Sequence, residues 1–346
     1  MAHEIDLKNY KIRTDIIVDT FDKNIENKGI CHTTINIGDI VVDDVVIDKI
    51  GEKTCNKSPG NYKTITFKDI TDKDNYKKVE EVVINNLRSI LKSNGIKDND
   101  TCLIIGLGNP KSTPDSLGPK VIDNVLVTRY LFELGEVEVG YRNTSSFIPN
   151  VTGVTGIETK DLINGIVKTV KPDFLIVIDA LASSKIDRVN KTIQITDAGI
   201  LPGSGVGNNR EILNKNTFKI PVIAIGVPTI VDALTIVYDT FNYMKKKFSY
   251  NIDNVDSNKL KFVDSMHQNY LDTERELTKE EEEKILGMVG TLNEYEFKKL
   301  ILEVLSPINY NLMVTPKEID FVIDKLGLLI GNSINKVLHN SYNTTN

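Results

Sequence analysis

The run Phe174-Leu-Ile-Val-Ile178 is apolar at every position, the pattern of a strand covered on both faces rather than one with a wet side. Cys102-Leu-Ile-Ile105 has the same character, and Thr192 to Thr196 and Val222 to Ile225 read as further strands. Between them lie helical stretches: Leu117 to Leu134, then Lys160 to Val170, which must end before Pro172. A third, Val231 to Lys247, follows the turn Gly226-Val-Pro-Thr229. Buried strands separated by helices imply an α/β fold, a mostly parallel twisted sheet flanked by helices. In such sheets sites form beyond the carboxyl ends of strands.

Residues 33 to 70 alternate apolar and polar in TTINIGDIVVDDVVIDKI and again in YKTITFKDI, as half-buried N-terminal strands do, with the loop GEKTCNKSPGN between them. From Asp74 the residues Val79, Val82, Val83, Leu87, Ile90 and Leu91 recur at helical spacing, and Gly95 supplies a left-handed stop. After about residue 250 the composition turns to charge-rich helix. Thr278-Lys-Glu-Glu281 and Thr315-Pro-Lys-Glu318 both fit a capping box. The run Glu280 to Glu283 reads as a solvated first turn rather than a metal site.

A chain of 346 residues can bury a large core. Its net charge of −6 argues against nonspecific nucleic-acid binding, which needs a surplus of Lys and Arg on some face. No stretch reaches the ~20 apolar residues of a membrane span, and MAHEIDLKNYKIRTD lacks the apolar centre of a signal peptide, so a cytoplasmic protein is expected. Cys31, Cys55 and Cys102 are scattered without metal-type spacing and read as reduced thiols. No metal or cofactor site is visible.

Directly after the strand at 102 comes Gly106 to Pro119, GLGNPKSTPDSLGP. A dinucleotide fingerprint would need glycine where Lys111 stands. The GLGNP half also occurs in peptidyl-tRNA hydrolases, but there a catalytic histidine follows, and this chain has none between His32 and His267. What remains to explain is Asp115, which could be a helix N-cap or a functional carboxylate. Asp179 ends FLIVIDALAS at the neighbouring strand end. Two carboxylates so placed can hold one water between them, and mutual repulsion separates their proton affinities, as acid and base for amide hydrolysis require. A second glycine cluster, Pro202-Gly-Ser-Gly-Val-Gly207-Asn-Asn-Arg210, lacks the Walker ending. Through Gly203, Gly205 and Gly207 it could place backbone N–H groups near an oxyanion or admit an extended peptide. Ser145, Ser146, Ser183 and Ser184 have no nearby histidine to activate them. His339 reads as a residue favoured at the C-terminal end of its helix. Arg188 and Arg210 are the candidate cations should a substrate carboxylate have to be held near Asp115 and Asp179, which would themselves repel it.

These motifs coincide with a known family. GLGNPKSTPDSLGP, VTGVTGIET, VKPDFLIVIDALA, RVNKTIQITDAGILPGSGVGNNR and GVPTIVDALT closely resemble, in order, the core of the spore germination proteases. VTPKEIDFVIDKLGLLIGNSINKVLH is similar to their C-terminal helix and LKNYKIRTDIIVD to their N-terminus; only about 248 to 310 falls outside the likeness. The resemblance implies an endopeptidase of the developing forespore and spore core that degrades small acid-soluble, DNA-protecting spore proteins at germination. It implies a zymogen that removes its own N-terminal segment, a homotetramer, and a fold resembling that of hydrogenase-maturation proteases. Its essential aspartates match Asp115 and Asp179. The cut in this system follows an acidic residue after Thr or Ser and precedes an apolar one. Thr14-Asp15-Ile16-Ile17 has that form, which implies cleavage between Asp15 and Ile16, a propeptide of 1–15, and a single α/β peptidase domain over 16–346 with a helical segment from about 250. Glu4, Asp6 and Asp15 balance Lys8, Lys11 and Arg13, so its loss leaves the charge at −6.

Three readings stay open on the residues: a self-processing aspartic-type endopeptidase, a metal-dependent maturation-type protease of the same fold, and a noncatalytic peptide-binding module that uses the glycine loops as a groove.

Overall fold

A computed structural model describes residues 14–22, 27–203, 211–253, 270–305 and 312–344. The described residues divide into two compact units, one drawn from 14–230 with 315–344, the other from 231–314. The sequence reading carried one domain from residue 16 with a helical segment from about 250. The division instead falls near 231, and the last helix belongs to the sheet-bearing unit.

In the larger unit β1 (Ile30–Ile37), β2 (Ile40–Ile47), β3 (Gly60–Thr66), β4 (Cys102–Gly106), β5 (Thr144–Phe147), β6 (Phe174–Ser183), β7 (Thr192–Thr196) and β8 (Val222–Asp232) form one sheet in the order β1-β2-β3-β7-β8-β6-β4-β5. The α/β class stands, but the sheet is mixed rather than mostly parallel. β4 pairs in parallel with β5 and β6, whereas β1 to β3 and β3-β7-β8 are antiparallel. The N-terminal hairpins extend the same sheet, and a two-residue hairpin turn can only join antiparallel neighbours.

Pleat alternation decides which residues face which layer. Ile40, Val42, Ile65, Ile193, Ile195, Ile176 and Ile178 face one side, where the helices Lys73–Ser93 and Ile319–Leu338 cover them. Helix Lys73–Ser93 starts where the Asp72 side chain accepts from the amides of Asp74 and Asn75, and it turns away at Gly95 with φ 71°. Helix Ile319–Leu338 lies close on Leu117–Ile122 because Gly327 and Gly331 have no side chain there; a Cβ would come within 2.8 Å of Lys120 and 2.6 Å of Asn124. On the opposite face Leu103, Ile105, Leu175 and Val177 form one cluster, and Ile16, Ile17, Val18, Val45, Ile47, Tyr62 and Leu181 another.

Several elements differ from the sequence reading. The stretch Leu117 to Leu134 is two helices, Leu117–Ile122 and Arg129–Leu134. The break holds because the Leu126 amide donates to Asn335 Oδ1 rather than to the preceding turn. Gly226-Val-Pro-Thr229 is not a turn. β8 runs through it, and the Pro228 carbonyl accepts from the Asn190 amide. Thr315 makes no capping box, since its hydroxyl donates to the Thr229 carbonyl, and the helix begins at Ile319 without a side-chain cap.

In the second unit, β9 (Met313–Val314) pairs antiparallel with Val231 and Asp232. Helices Ala233–Asp253 and Glu294–Leu305 meet through Phe241 stacked on Phe297, ring centroids 4.4 Å apart. Helix Lys279–Leu286 opens with the expected capping box at Thr278 and Glu281. Two of its glutamates form ion pairs, Glu281 with Arg275 and Glu282 with Lys245. Cys31, Cys55 and Cys102 are free thiols. Among the described residues no helix is long and apolar enough to cross a membrane.

His339 corrects a further expectation. It caps the last helix, but it is fully buried, and its Nδ1 accepts from the Arg142 amide at 3.2 Å. Burial first, and the Arg142 charge beside it, push its pKa down to about 4; it is a neutral side chain, not a cation on the helix dipole. A folded pKa below the unfolded value of 6.5 means that the unfolded chain binds the extra proton. Stability is therefore lost as pH falls from 6.5 toward 4, by roughly 3 kcal/mol at the end of that range. Urea unfolding at pH 7 and pH 4.5 should show that His339→Gln flattens this slope, whatever it does to stability at pH 7.

Candidate active site

The motif from Gly106 to Pro119 is built to present Asp115. β4 ends at Gly106, and Leu107 continues beside β6 with its amide on the Ile178 carbonyl at 2.8 Å. A Cβ on Gly106 would overlap the Gly118 carbonyl and one on Gly118 the Leu107 carbonyl, so the helix Leu117–Ile122 rests directly on the strand end. Gly108 has φ 108°, a left-handed conformation, and a Cβ there would overlap the Asp115 carbonyl. The chain folds back so that the Asn109 amide lies 3.0 Å from the Asp115 carbonyl and 2.9 Å from its Oδ2. Pro114 is pinned from the other side by the Thr229 hydroxyl at 2.7 Å. Asp115 is thus not the helix N-cap, which is Ser116. It closes a 3-10 turn, Thr113–Asp115, that packs against β6.

Asp179 lies in β6 one residue beyond Ile178, the register partner of Gly106. It is 4% exposed, and its Oδ1 accepts from the Ala180 amide at 2.9 Å. Its position in the pleat puts it on the side of Val177 and Leu181. Asp115 thus stands in the turn after β4, and Asp179 in the middle of the parallel strand β6, which runs on to Ser183 instead of ending before Asp179.

Residues 14–19 lie on that same face of the sheet. The Asp15 amide donates to the Ala182 carbonyl and the Ala182 amide to Asp15 Oδ2, each at 2.9 Å. Gln194 brackets the Asp15–Ile16 bond: Nε2 donates to the Asp15 carbonyl at 3.1 Å and Oε1 accepts from the Ile17 amide at 2.8 Å. Ile16 and Ile17 are completely buried. Arg188 is spent on this segment, with its Nε 2.6 Å from Asp19 Oδ1, and Asp19 Oδ2 also accepts from Thr14, Ser183 and Ser184. Gly203 sits in a turn at φ 68°. Gly205, Gly207 and Arg210 lie outside the described residues.

Sequence reasoning missed Gln194 and Lys57. The one available signal for Gln194 was a polar residue between Ile193 and Ile195 in a strand buried along its length. Lys57 stood in an unremarkable loop, and only the fold brings its ammonium to the Thr14 carbonyl, 2.7 Å away.

A sequence model of the germination protease family matches residues 8–346. Germination proteases similar to this chain include that of Bacillus licheniformis, 45% identical over 99% of this chain and 97% of the relative. That of Bacillus subtilis is 43% identical over 99% and 97%, and that of Priestia megaterium 42% identical over 100% and 98%. Among solved structures, a [NiFe] hydrogenase maturation protease from Thermococcus kodakarensis aligns over 42% of this chain and 80% of its own, at 18% identity and a TM-score of 0.28, a likeness too slight to carry any argument. On the full-length match and the level of identity, the chain belongs to the germination protease family.

Proposed function

We propose that this chain is an aspartic-type endopeptidase that starts the breakdown of small acid-soluble, DNA-protecting spore proteins at germination. It is made as a zymogen in the forespore, cut by itself between Asp15 and Ile16, and assembled as a homotetramer. The observation that carries the reading is the glycine-tightened turn that holds Asp115 against β6, the strand that contains Asp179, in a chain of the germination protease family.

The chemistry needs two proton carriers and one water. One carboxylate takes a proton from the water as its oxygen attacks the peptide carbonyl carbon. The other carboxyl, protonated, gives its proton to the departing nitrogen when the C–N bond breaks. The glycine-tightened loop holds Asp115 by its backbone and its carboxylate together, the rigidity that a positioned acid or base requires.

Residues 14–17 support the zymogen reading. A segment whose acidic residue docks on β6 three positions beyond Asp179, with the bond after it bracketed by Gln194, is held as a bound substrate could be. Incubation with a short peptide carrying a Ser-Glu-Ile site, followed by mass analysis, tests the activity: two fragments that divide after the glutamate are expected, and an intact peptide would refute the reading. Sequencing the processed chain should give Ile16 as its first residue, and a start beyond Thr20 would rule out the pseudo-substrate assignment.

Activity should also persist in the presence of chelators. Among the described residues no group of three His, Cys, Asp or Glu side chains could hold a metal ion, and the dyad chemistry asks for none. Inactivation by chelation with recovery on adding metal would favour a maturation-type metalloprotease instead.

A further inference from the structure

Residues 14 and 15 are held by four groups from the body of the sheet-bearing unit. The Lys57 ammonium donates to the Thr14 carbonyl at 2.7 Å, Gln194 Nε2 to the Asp15 carbonyl at 3.1 Å and the Ala182 amide to the Asp15 carboxylate at 2.9 Å. The Ala182 carbonyl accepts from the Asp15 amide at 2.9 Å. These three donors and one acceptor are a mould of an extended dipeptide whose second residue is acidic. Burial pulls the Lys57 ammonium below the ordinary lysine range, and the Asp15 carboxylate is foremost among the charges that offset it.

Loss of residues 1–15 would strip all four groups of these partners at once. Unsatisfied donors in a site shielded from water are costly, and a lysine left there without a carboxylate is costlier still. The Ile16 amide, now bonded to Thr14 Oγ1 at 3.2 Å, would become an ammonium beside the same pocket. Asp19 would not neutralise it alone, because its carboxylate is already paired with Arg188. Arg188 is for the same reason not the cation that processing frees; Lys57 is.

We propose that in the processed chain Lys57, Gln194 and the Ala182 backbone form the subsite for an acidic residue of the substrate, which Thr14 and Asp15 fill until the propeptide leaves. The proposal rests on the endopeptidase reading above and on a cut after Asp15, and it supplies the recognition that those statements leave without a residue. On this reading the uncut chain cannot take the acidic residue of another chain, because its own Asp15 occupies the site.

The test separates binding from cleavage. A chain that begins at Ile16, released from a cleavable fusion, is titrated calorimetrically with acetyl-Thr-Asp and with acetyl-Thr-Asn. The acid should bind at least about tenfold more tightly than the amide, because only the acid brings a charge that both the Ala182 amide and the nearby Lys57 ammonium favour. The full-length chain, with its pocket filled, should bind both far more weakly. Lys57→Met should erase the preference and Lys57→Arg should keep most of it. In cleavage, Lys57→Met should lower kcat/KM for a Glu-site peptide by about 10- to 100-fold while leaving the Gln-site peptide within about threefold. Equal affinities for acid and amide in the unsubstituted chain, or equal losses on both peptides in Lys57→Met, would overturn the subsite. A chain that binds the acid through Lys57 but cuts nothing keeps the subsite and removes the endopeptidase reading. One that cuts both peptides alike keeps the activity and removes the subsite. If Lys57→Met melts well below the unsubstituted chain, the Lys57→Arg comparison decides.

Discussion

Asp115→Asn and Asp179→Asn each reduce peptide cleavage by about two to four orders of magnitude, the range expected when a positioned acid or base is lost, while the melting temperature changes little. Asparagine keeps the size of the carboxylate, and its side-chain oxygen can still accept from the Asn109 amide at position 115 or the Ala180 amide at position 179. What it cannot do is take up or release the proton of the attacking water. On the proposed mechanism the two groups act on one water, so the losses should not add: the double variant should be about as slow as the slower single one, as in other catalytic units. Single-turnover assays with the Ser-Glu-Ile peptide supply the rates. A near-normal rate in either variant would remove that residue from the pair, and strictly multiplicative losses would show that the two aspartates work independently.

How much of this was legible in the sequence follows from how local each cause is. The strand at Phe174 to Ile178 announces itself by continuous apolar residues. Its extension to Ser183 does not, because Ala180 and Ala182 carry little strand signal and the segment owes its form partly to what lies beside it, including Asp15. Pro228 disguised the second half of β8 as a turn. A proline is compatible with a strand only where no neighbour needs its missing N–H, and here its carbonyl alone is used. The single helix read from Leu117 to Leu134 failed for a reason more than two hundred residues away, at Asn335. Parallel pairing was overextended because helices between strands suggest crossovers, while β3, β7 and β8 meet through contacts that no local pattern encodes.

The site divides in the same way. Asp115 and Asp179 could be found because each follows a recognisable apolar run, and the ends of such runs are where these sheets place their chemistry, although β6 itself continues to Ser183. Arg188 was chosen as a free cation on sequence distance, and the fold instead buries it against Asp19. Gln194 and Lys57 have no sequence signature of function. Their roles come from a segment at the other end of the chain that lies across the sheet.

Gly108→Ala tests whether the loop, rather than the aspartate alone, makes the site. A Cβ at this position meets two obstacles at once. The φ of 108° lies where L-residues are strained, worth about 1–3 kcal/mol by itself. The added carbon would also overlap the carbonyl of Asp115, the group that the Asn109 amide holds in place. Relief requires the turn to open, which moves Asp115 out of its place against β6, the strand of Asp179. Activity should therefore fall as far as in Asp115→Asn, although no titratable group has been touched. Gly95→Ala is the control: its φ of 71° is also left-handed, but a Cβ there meets nothing within 4 Å. It should carry the dihedral strain, lose about 1 kcal/mol in urea unfolding, and cleave peptide at the normal rate. If Gly108→Ala loses only what Gly95→Ala loses and still cleaves normally, the tight return of the chain onto Asp115 is dispensable, and the glycines of GLGNPKSTPDSLGP need another explanation.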